Sequence, residues 1–223
     1  MWHEYTSAET GIQALADDIT ARIQACLRNS GMCTLAVSGG RSPIPLFEQL
    51  AVAELDWPKV NVLLVDERYV PPEHDDSNEG LVRRHLLTGR AAHAHFLGLY
   101  RPGASIAQAV EAANDEFRPI DLAILGMGDD GHTASLFPGA RQLHEALAPH
   151  AAHYLHVTPP DAPHERITLS LAALRACGHR ILHIPGAQKR DLLREAEKKI
   201  DKRLPVSFLA ADPGVSLDVY WHP

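Results

Sequence analysis

Four short apolar runs constrain this chain more than any other feature: CTLAVSGG, VNVLLVDE, IDLAILGMG and HRILHIPG. None alternates apolar and polar residues strictly, as a half-exposed strand would, so each reads as a strand buried on both faces. Each is followed by a segment of helical period or a helical turn. That order predicts an α/β fold, a mostly parallel sheet with helices on both faces. A helix is expected over residues 7–29, where Ile12, Leu15, Ile19, Ile23 and Leu27 share one face and Gly31 closes it. SPIPLFEQLAVAEL, residues 78–87 and 105–117, LSLAALRACG and AQKRDLLREAEKK read as further helices. HYLHVT and LDVYW read as further strands, and residues 132–136 as a short helical turn. No repeat, low-complexity tract or linker interrupts the 223 residues, so 1–223 is expected to be a single domain.

Charge and cysteine usage narrow the partners. With 21 Lys and Arg against 28 Asp and Glu, the formal charge of −7 argues against nucleic acid or an anionic membrane as partner. A local cluster of donors for a small phosphorylated molecule remains compatible with it. No stretch approaches the roughly eighteen apolar residues of a membrane span, and MWHEYTSAETGIQAL lacks the basic and apolar regions of a signal peptide. Cys26, Cys33 and Cys177 are odd in number and form no CxxC pair, which reads as reduced thiols in a cytoplasmic protein. The 14 histidines are mostly scattered, and the close pairs His93/His95 and His153/His156 have no carboxylate or cysteine set beside them. No metal is expected.

The polar motifs fall in one place. SGGRS, DER, GMGDDGHT and PGAQK all lie just past the carboxyl ends of expected parallel strands, the edge where open α/β sheets bind ligands. Ser38, Gly39, Gly40, Arg41 and Ser42 either cradle an anion with backbone N–H groups, hydroxyls and a charge, or form a capped strand-to-helix turn. The spacing matches neither a Walker A loop nor GxGxxG. Asp66 and Arg68, flanking Glu67, either bind sugar hydroxyls or pair with each other. Asn78 is either a ligand donor or part of a helix start. In GMGDDGHT, three glycines, Gly128 among them, let the backbone lie against a ligand. His132 within it fits a base working near neutral pH, with Asp130 placed to orient the imidazole. Arg166 and Lys189 are isolated cations that either complete a phosphate clamp at this edge or are solvated.

At this point the chain resembles a known family. SGGRSP, VDERYVP with SNEGLVRRHLL, DLAILGMGDDGHTASLFPG, RITLSLAAL and PGAQKRDLL occur in the order and approximate spacing of the 6-phosphogluconolactonases, over about residues 35–195. The resemblance implies a Rossmann-like fold and a cofactor-free, metal-free hydrolase of a phosphorylated sugar lactone in the pentose phosphate pathway. The chain is expected to be a monomer. It implies that His132 activates water and then protonates the leaving ring oxygen. Phosphate is implied near Ser38–Ser42, Arg166 and Lys189, and the lactone near Asp66, Arg68, Asn78 and Gly128. One departure stands out: many relatives have SGGSTP where this chain has SGGRSP, so Arg41 has no role assigned by the resemblance. Related amino-sugar-phosphate isomerase/deaminases continue the histidine block as GHIAFNEP, and the glutamate position is Phe137 here. A phenylalanine relays no proton. A non-catalytic sugar-phosphate sensor is the other alternative.

Overall fold

A computed structural model describes residues 1–223. Ten strands and eight α-helices follow in the order β1 (Trp2–Glu4), α1 (Ala8–Ser30), β2 (Cys33–Val37), α2 (Ile44–Ala51), β3 (Val60–Leu64), β4 (Asp66–Arg68), α3 (Asn78–His85) and β5 (His95–Leu97). Then come α4 (Ile106–Asp115), β6 (Leu122–Leu125), α5 (Leu143–Ala146), β7 (Tyr154–Val157), β8 (Arg166–Leu169), α6 (Leu171–Ala176), β9 (His179–Pro185), α7 (Ala187–Ala196), α8 (Ser207–Ala210) and β10 (Asp218–His222).

The first helix shows how local chemistry sets the elements. Ser7 caps α1 by accepting from the Thr10 N–H at 3.2 Å, and Gly31, at φ 77, ends it by returning its N–H to the Leu27 carbonyl. Ile12, Leu15, Ile19 and Ile23 form the buried stripe between those caps. Each such side chain contributes about 2 kcal/mol of burial free energy.

Seven strands form one sheet in the order β1-β10-β9-β6-β2-β3-β5, and every neighbouring pair is parallel. The chain runs outward from β2 to β3 and β5, then returns to the other side of β2 with β6. The order therefore reverses between β2 and β6, and a crevice opens above their carboxyl ends. β2 is wholly buried, as its unbroken apolar run requires. A single cluster of 55 buried hydrophobic residues joins sheet and helices, with members from Ile12 to Tyr220.

Two departures from the sequence reading shape the site. VNVLLVDE is two strands, not one. The Val65 N–H still bonds Val37 of β2, but its carbonyl accepts from Leu169, and β4 pairs antiparallel with β8, which pairs with β7. This three-stranded sheet stands beside the large one and carries Asp66 and Arg68. The helical turn expected at 132–136 does not form. Gly131 at φ 78 and Ala134 at φ 52 are both left-handed, and a right-handed helix cannot pass through them.

Candidate active site

A cleft of about 340 Å³ lies at the switch between β2 and β6. Its floor is the end of β6, Ile124 to Gly128; Ser38–Ser42 form one wall, Asp66, Arg68 and Asn78 another, and His132 and Lys189 close it. These groups come from stretches far apart in sequence, brought together at the carboxyl ends of β2, β3, β6 and β9.

The His132 imidazole is oriented from both faces. Its Nδ1 lies 2.5 Å from Asp130 Oδ1, and the same oxygen accepts the His132 backbone N–H at 3.1 Å. A carboxylate on Nδ1 fixes the proton there and leaves Nε2 with a lone pair for chemistry. Burial pushes the Asp130 carboxyl up, but the His132 hydrogen bonds and charge outweigh it and hold the group below its ordinary value. Phe137 packs against the ring with centroids 4.3 Å apart. Gly128 lies beneath it: a Cβ there would stand 2.2 Å from His132 Cε1, so only glycine admits the imidazole in this position.

Two backbone donors of the glycine-rich loop are spent within the loop. The Gly128 N–H donates to the His132 carbonyl at 2.9 Å and the Gly131 N–H to the Gly128 carbonyl at 3.1 Å. Both donors are committed to holding the loop, so Gly128 serves the imidazole by its small size.

On the facing wall, Gly40 at φ 93 makes the left-handed turn after β2 that turns Arg41 and Ser42, both exposed, toward the cleft. Ser38 Oγ is buried with no partner in the protein. Gly39 makes room for Asn78, whose Oδ1 would lie 1.9 Å from a Cβ at residue 39. Asn78 Nδ2 in turn donates to the Asp66 carbonyl at 2.8 Å. Asp66, 9% exposed, accepts from Ser135 Oγ at 2.6 Å, and Arg68 donates from Nη1 to the Asp76 carbonyl at 2.8 Å. The two do not pair with each other.

Glu67, between them, faces away from the cleft. Its carboxylate accepts the Arg68, Asn78 and Glu79 N–H groups, each at 2.7 Å, and the Ser77 hydroxyl at 3.1 Å, which ties β4 to the start of α3. Burial nevertheless raises its pKa to about 7 against these four donors.

Lys189 sits in the first turn of α7, donates to the Met127 carbonyl at 2.5 Å and lies 3.7 Å from Asp129. The residue before α7, Gly186, is clamped by the last strand: its N–H donates to the His222 carbonyl and its carbonyl accepts the Trp221 indole N–H, both at 2.8 Å.

Two expected site residues do not line the cleft. Asp130 stands behind His132. Arg166 is 4% exposed, opposite Arg68 in the β4–β8 pairing, with its guanidinium over Phe137 and Nη1 without a partner. Burial, then the charge of Arg68, lowers its pKa from the usual arginine value. One titratable cleft residue lay outside the sequence expectations. His183 of β9 lines the wall, 5% exposed, with Nε2 3.2 Å from His222 Nε2. Burial foremost, then His222 and Lys189, pushes its pKa down to about 4, so it is neutral at pH 7. Its signal was a polar residue near the end of HRILHIPG, in the same strand-end position as the other motifs.

Two groups outside the cleft bring metal-ligating side chains together: Cys26, Cys33 and Asp121, and His74, Asp76 and His164. In the first, Asp121 Oδ2 is spent on the Thr34 N–H at 2.7 Å, and burial pushes the Cys33 thiol up, away from the thiolate a metal needs.

The family described as glucosamine-6-phosphate isomerases/6-phosphogluconolactonase matches residues 6–221. The chain belongs to this family. A 6-phosphogluconolactonase of Pseudomonas aeruginosa is 44% identical over 97% of this chain and 92% of its own, and one of Neisseria meningitidis is 39% identical over 99% and 98%. A crystal structure of a 6-phosphogluconolactonase from Shewanella baltica superposes with a TM-score of 0.93 at 35% identity, covering 100% of this chain and 97% of that one. Since the family description names two activities, membership alone does not choose between them. The histidine block does: where the isomerase/deaminase pattern has glutamate, Phe137 packs on the imidazole.

Proposed function

We propose that this chain hydrolyses 6-phospho-D-glucono-1,5-lactone to 6-phosphogluconate, in the pentose phosphate pathway, by direct attack of water. The observation that carries the mechanism is the Asp130–His132 pair over Gly128, which leaves Nε2 as an unprotonated base at the cleft wall.

Binding orients the substrate before any bond changes. Ser38–Ser42 and Lys189 take the phosphate, with the unpartnered Ser38 Oγ and exposed Arg41 as donors. Arg166 supports this wall from behind Arg68 and Phe137 without reaching the cleft. Asp66 and Asn78 receive the sugar hydroxyls. With the carbonyl so placed, orientation replaces encounter. Nε2 takes a proton from water as the oxygen attacks the carbonyl carbon, and Asp130 balances the imidazolium. Arg68 stabilises the oxyanion, since the Gly128 and Gly131 N–H groups are committed elsewhere. Collapse breaks the ring C–O bond, and the imidazolium returns its proton to the leaving oxygen. The chain acts alone, a cytoplasmic monomer whose reaction uses no metal or cofactor and which has no nucleic-acid or membrane partner. Its formal charge of −7 and three unpaired cysteines agree with that reading.

The test follows proton release from freshly generated lactone above its spontaneous rate. His132→Ala is expected to lose at least about 10²-fold in kcat while still binding inorganic phosphate. Unchanged hydrolysis removes His132 from the mechanism. Turnover of glucosamine 6-phosphate comparable to the lactone would overturn the substrate assignment.

A further inference from the structure

The turn between β4 and α3 and the loop before β8 meet outside the cleft, and there they place two imidazoles and a carboxylate together. Asp76 Oδ2 lies 2.9 Å from His164 Nε2 and 3.9 Å from His74 Nδ1. All three ligand atoms lie within 4.8 Å of one another. In a tetrahedral zinc-class site with bonds of about 2.1 Å the ligand atoms stand about 3.4 Å apart. The His164–Asp76 separation is already inside that distance. His74 must close by about 0.5 Å toward Asp76 and by up to about 1.4 Å toward His164, a rotation open to its exposed side chain. We propose that His74, Asp76 and His164 form a binding site for a divalent transition ion of the zinc class on the rim of the cleft.

The donor geometry suits such an ion. The Asp76 N–H donates to His74 Nδ1 at 3.1 Å, so that nitrogen carries a lone pair. The ion takes the lone pair in place of the amide. At His164 the ion takes the place between Nε2 and Asp76 Oδ2 that a hydrogen bond now spans, and the imidazole keeps its one proton on Nδ1. His164 holds φ 70, a left-handed conformation rare outside glycine, and from there its ring reaches Asp76. Two imidazoles with one carboxylate and open positions for water are a nitrogen-rich set that selects zinc-class ions over calcium or magnesium. Glu73 and Asp75, exposed on the same turn, add negative charge beside the three ligands in sequence.

The position gives the site a consequence. Asp76 offers its carbonyl to Arg68, and Arg68 lines the cleft. An ion that pins Asp76 to the loop before β8 therefore also fixes the geometry around Arg68.

Titration of the metal-free full chain with Co²⁺, read by its visible d–d absorption, tests the assignment. Wild type should bind one equivalent, displaced by Zn²⁺. His74→Ala and His164→Asn (asparagine tolerates the left-handed backbone) should each weaken Co²⁺ binding by at least about tenfold. Both should keep their metal-free lactone hydrolysis, which shows that they fold. Cys26→Ser and His132→Ala should bind as wild type does. The proposal is overturned if wild type takes up no Co²⁺ at millimolar concentration or if both histidine variants bind unchanged. A sulfur-to-cobalt band in the near ultraviolet, which would put the ion on the cysteines, also overturns it.

Discussion

Replacing Gly128 by alanine adds one methyl group at the point where the His132 ring lies on the backbone. That carbon would stand 2.2 Å from Cε1, 2.3 Å from Nδ1 and 2.7 Å from Asp130 Oδ1. Ordinary carbon contacts begin near 3.5 Å, so the imidazole must move by about 1.3 Å and take Asp130 with it. Gly128 is not among the left-handed glycines, so its backbone accepts alanine and the fold should survive. Misplacing a catalytic group by about 1 Å costs on the order of 10²-fold in rate, equivalent to about 2.7 kcal/mol of barrier. The assay is kcat/KM for the lactone, corrected for spontaneous hydrolysis, beside a thermal melt of the same preparation. Loss of activity with an intact melt is the expected result. A Gly128→Ala protein with wild-type kcat/KM would refute the placement of the working imidazole over this glycine.

Three further perturbations probe other parts of the site. Asp130→Asn offers Nδ1 a donor and moves the proton to Nε2, so kcat should fall by about 10²-fold or more with little change in melting; activity near wild type would show that the tautomer does not matter. Lys189→Met removes a charged hydrogen bond worth about 1.5–3 kcal/mol, and competitive inhibition by inorganic phosphate should weaken roughly tenfold or more; an unchanged inhibition constant would take Lys189 out of phosphate binding. His183 is held neutral, with its pKa lowered from 6.5 to about 4. The unfolded chain therefore takes up the proton first on acidification, and the stability due to His183 is full above pH 6.5 and lost as pH falls toward 4. Denaturant melts across that window should show wild type losing up to about 3 kcal/mol relative to His183→Gln, and parallel curves would contradict the burial argument.

The parts of this fold legible in the sequence were those with a strong period or a terminal residue of special conformation. The central strands β2, β6 and β9 are apolar because both faces are covered, and α1 carries its stripe and its closing glycine. The edge strands β1 and β5 are three residues each and pair on one side only, so they left no run to read. The small sheet was hidden for another reason. Val65 passes from one sheet to the other without a break in hydrophobicity, and nothing in VNVLLVDE marks the crossing. Ser38–Ser42, His132 and Lys189 were legible because each follows a strand end, whereas His183 lies within β9 and was not. The partnership of His164 with Asp76 was not, because 88 residues separate them and only the meeting of two loops brings them together. Committed donors such as the Gly128 N–H are likewise a property of the folded loop.

The clamp on Gly186 gives the end of the chain a reach that its own side chains lack. No residue of β10 lines the cleft, yet two of them grip the hinge from which Lys189 is presented. With Lys189 in the proposed phosphate-binding role, crowding at Trp221 or His222 would thus be felt as a weakened hold on the ligand's charged end, across the crevice from the histidine.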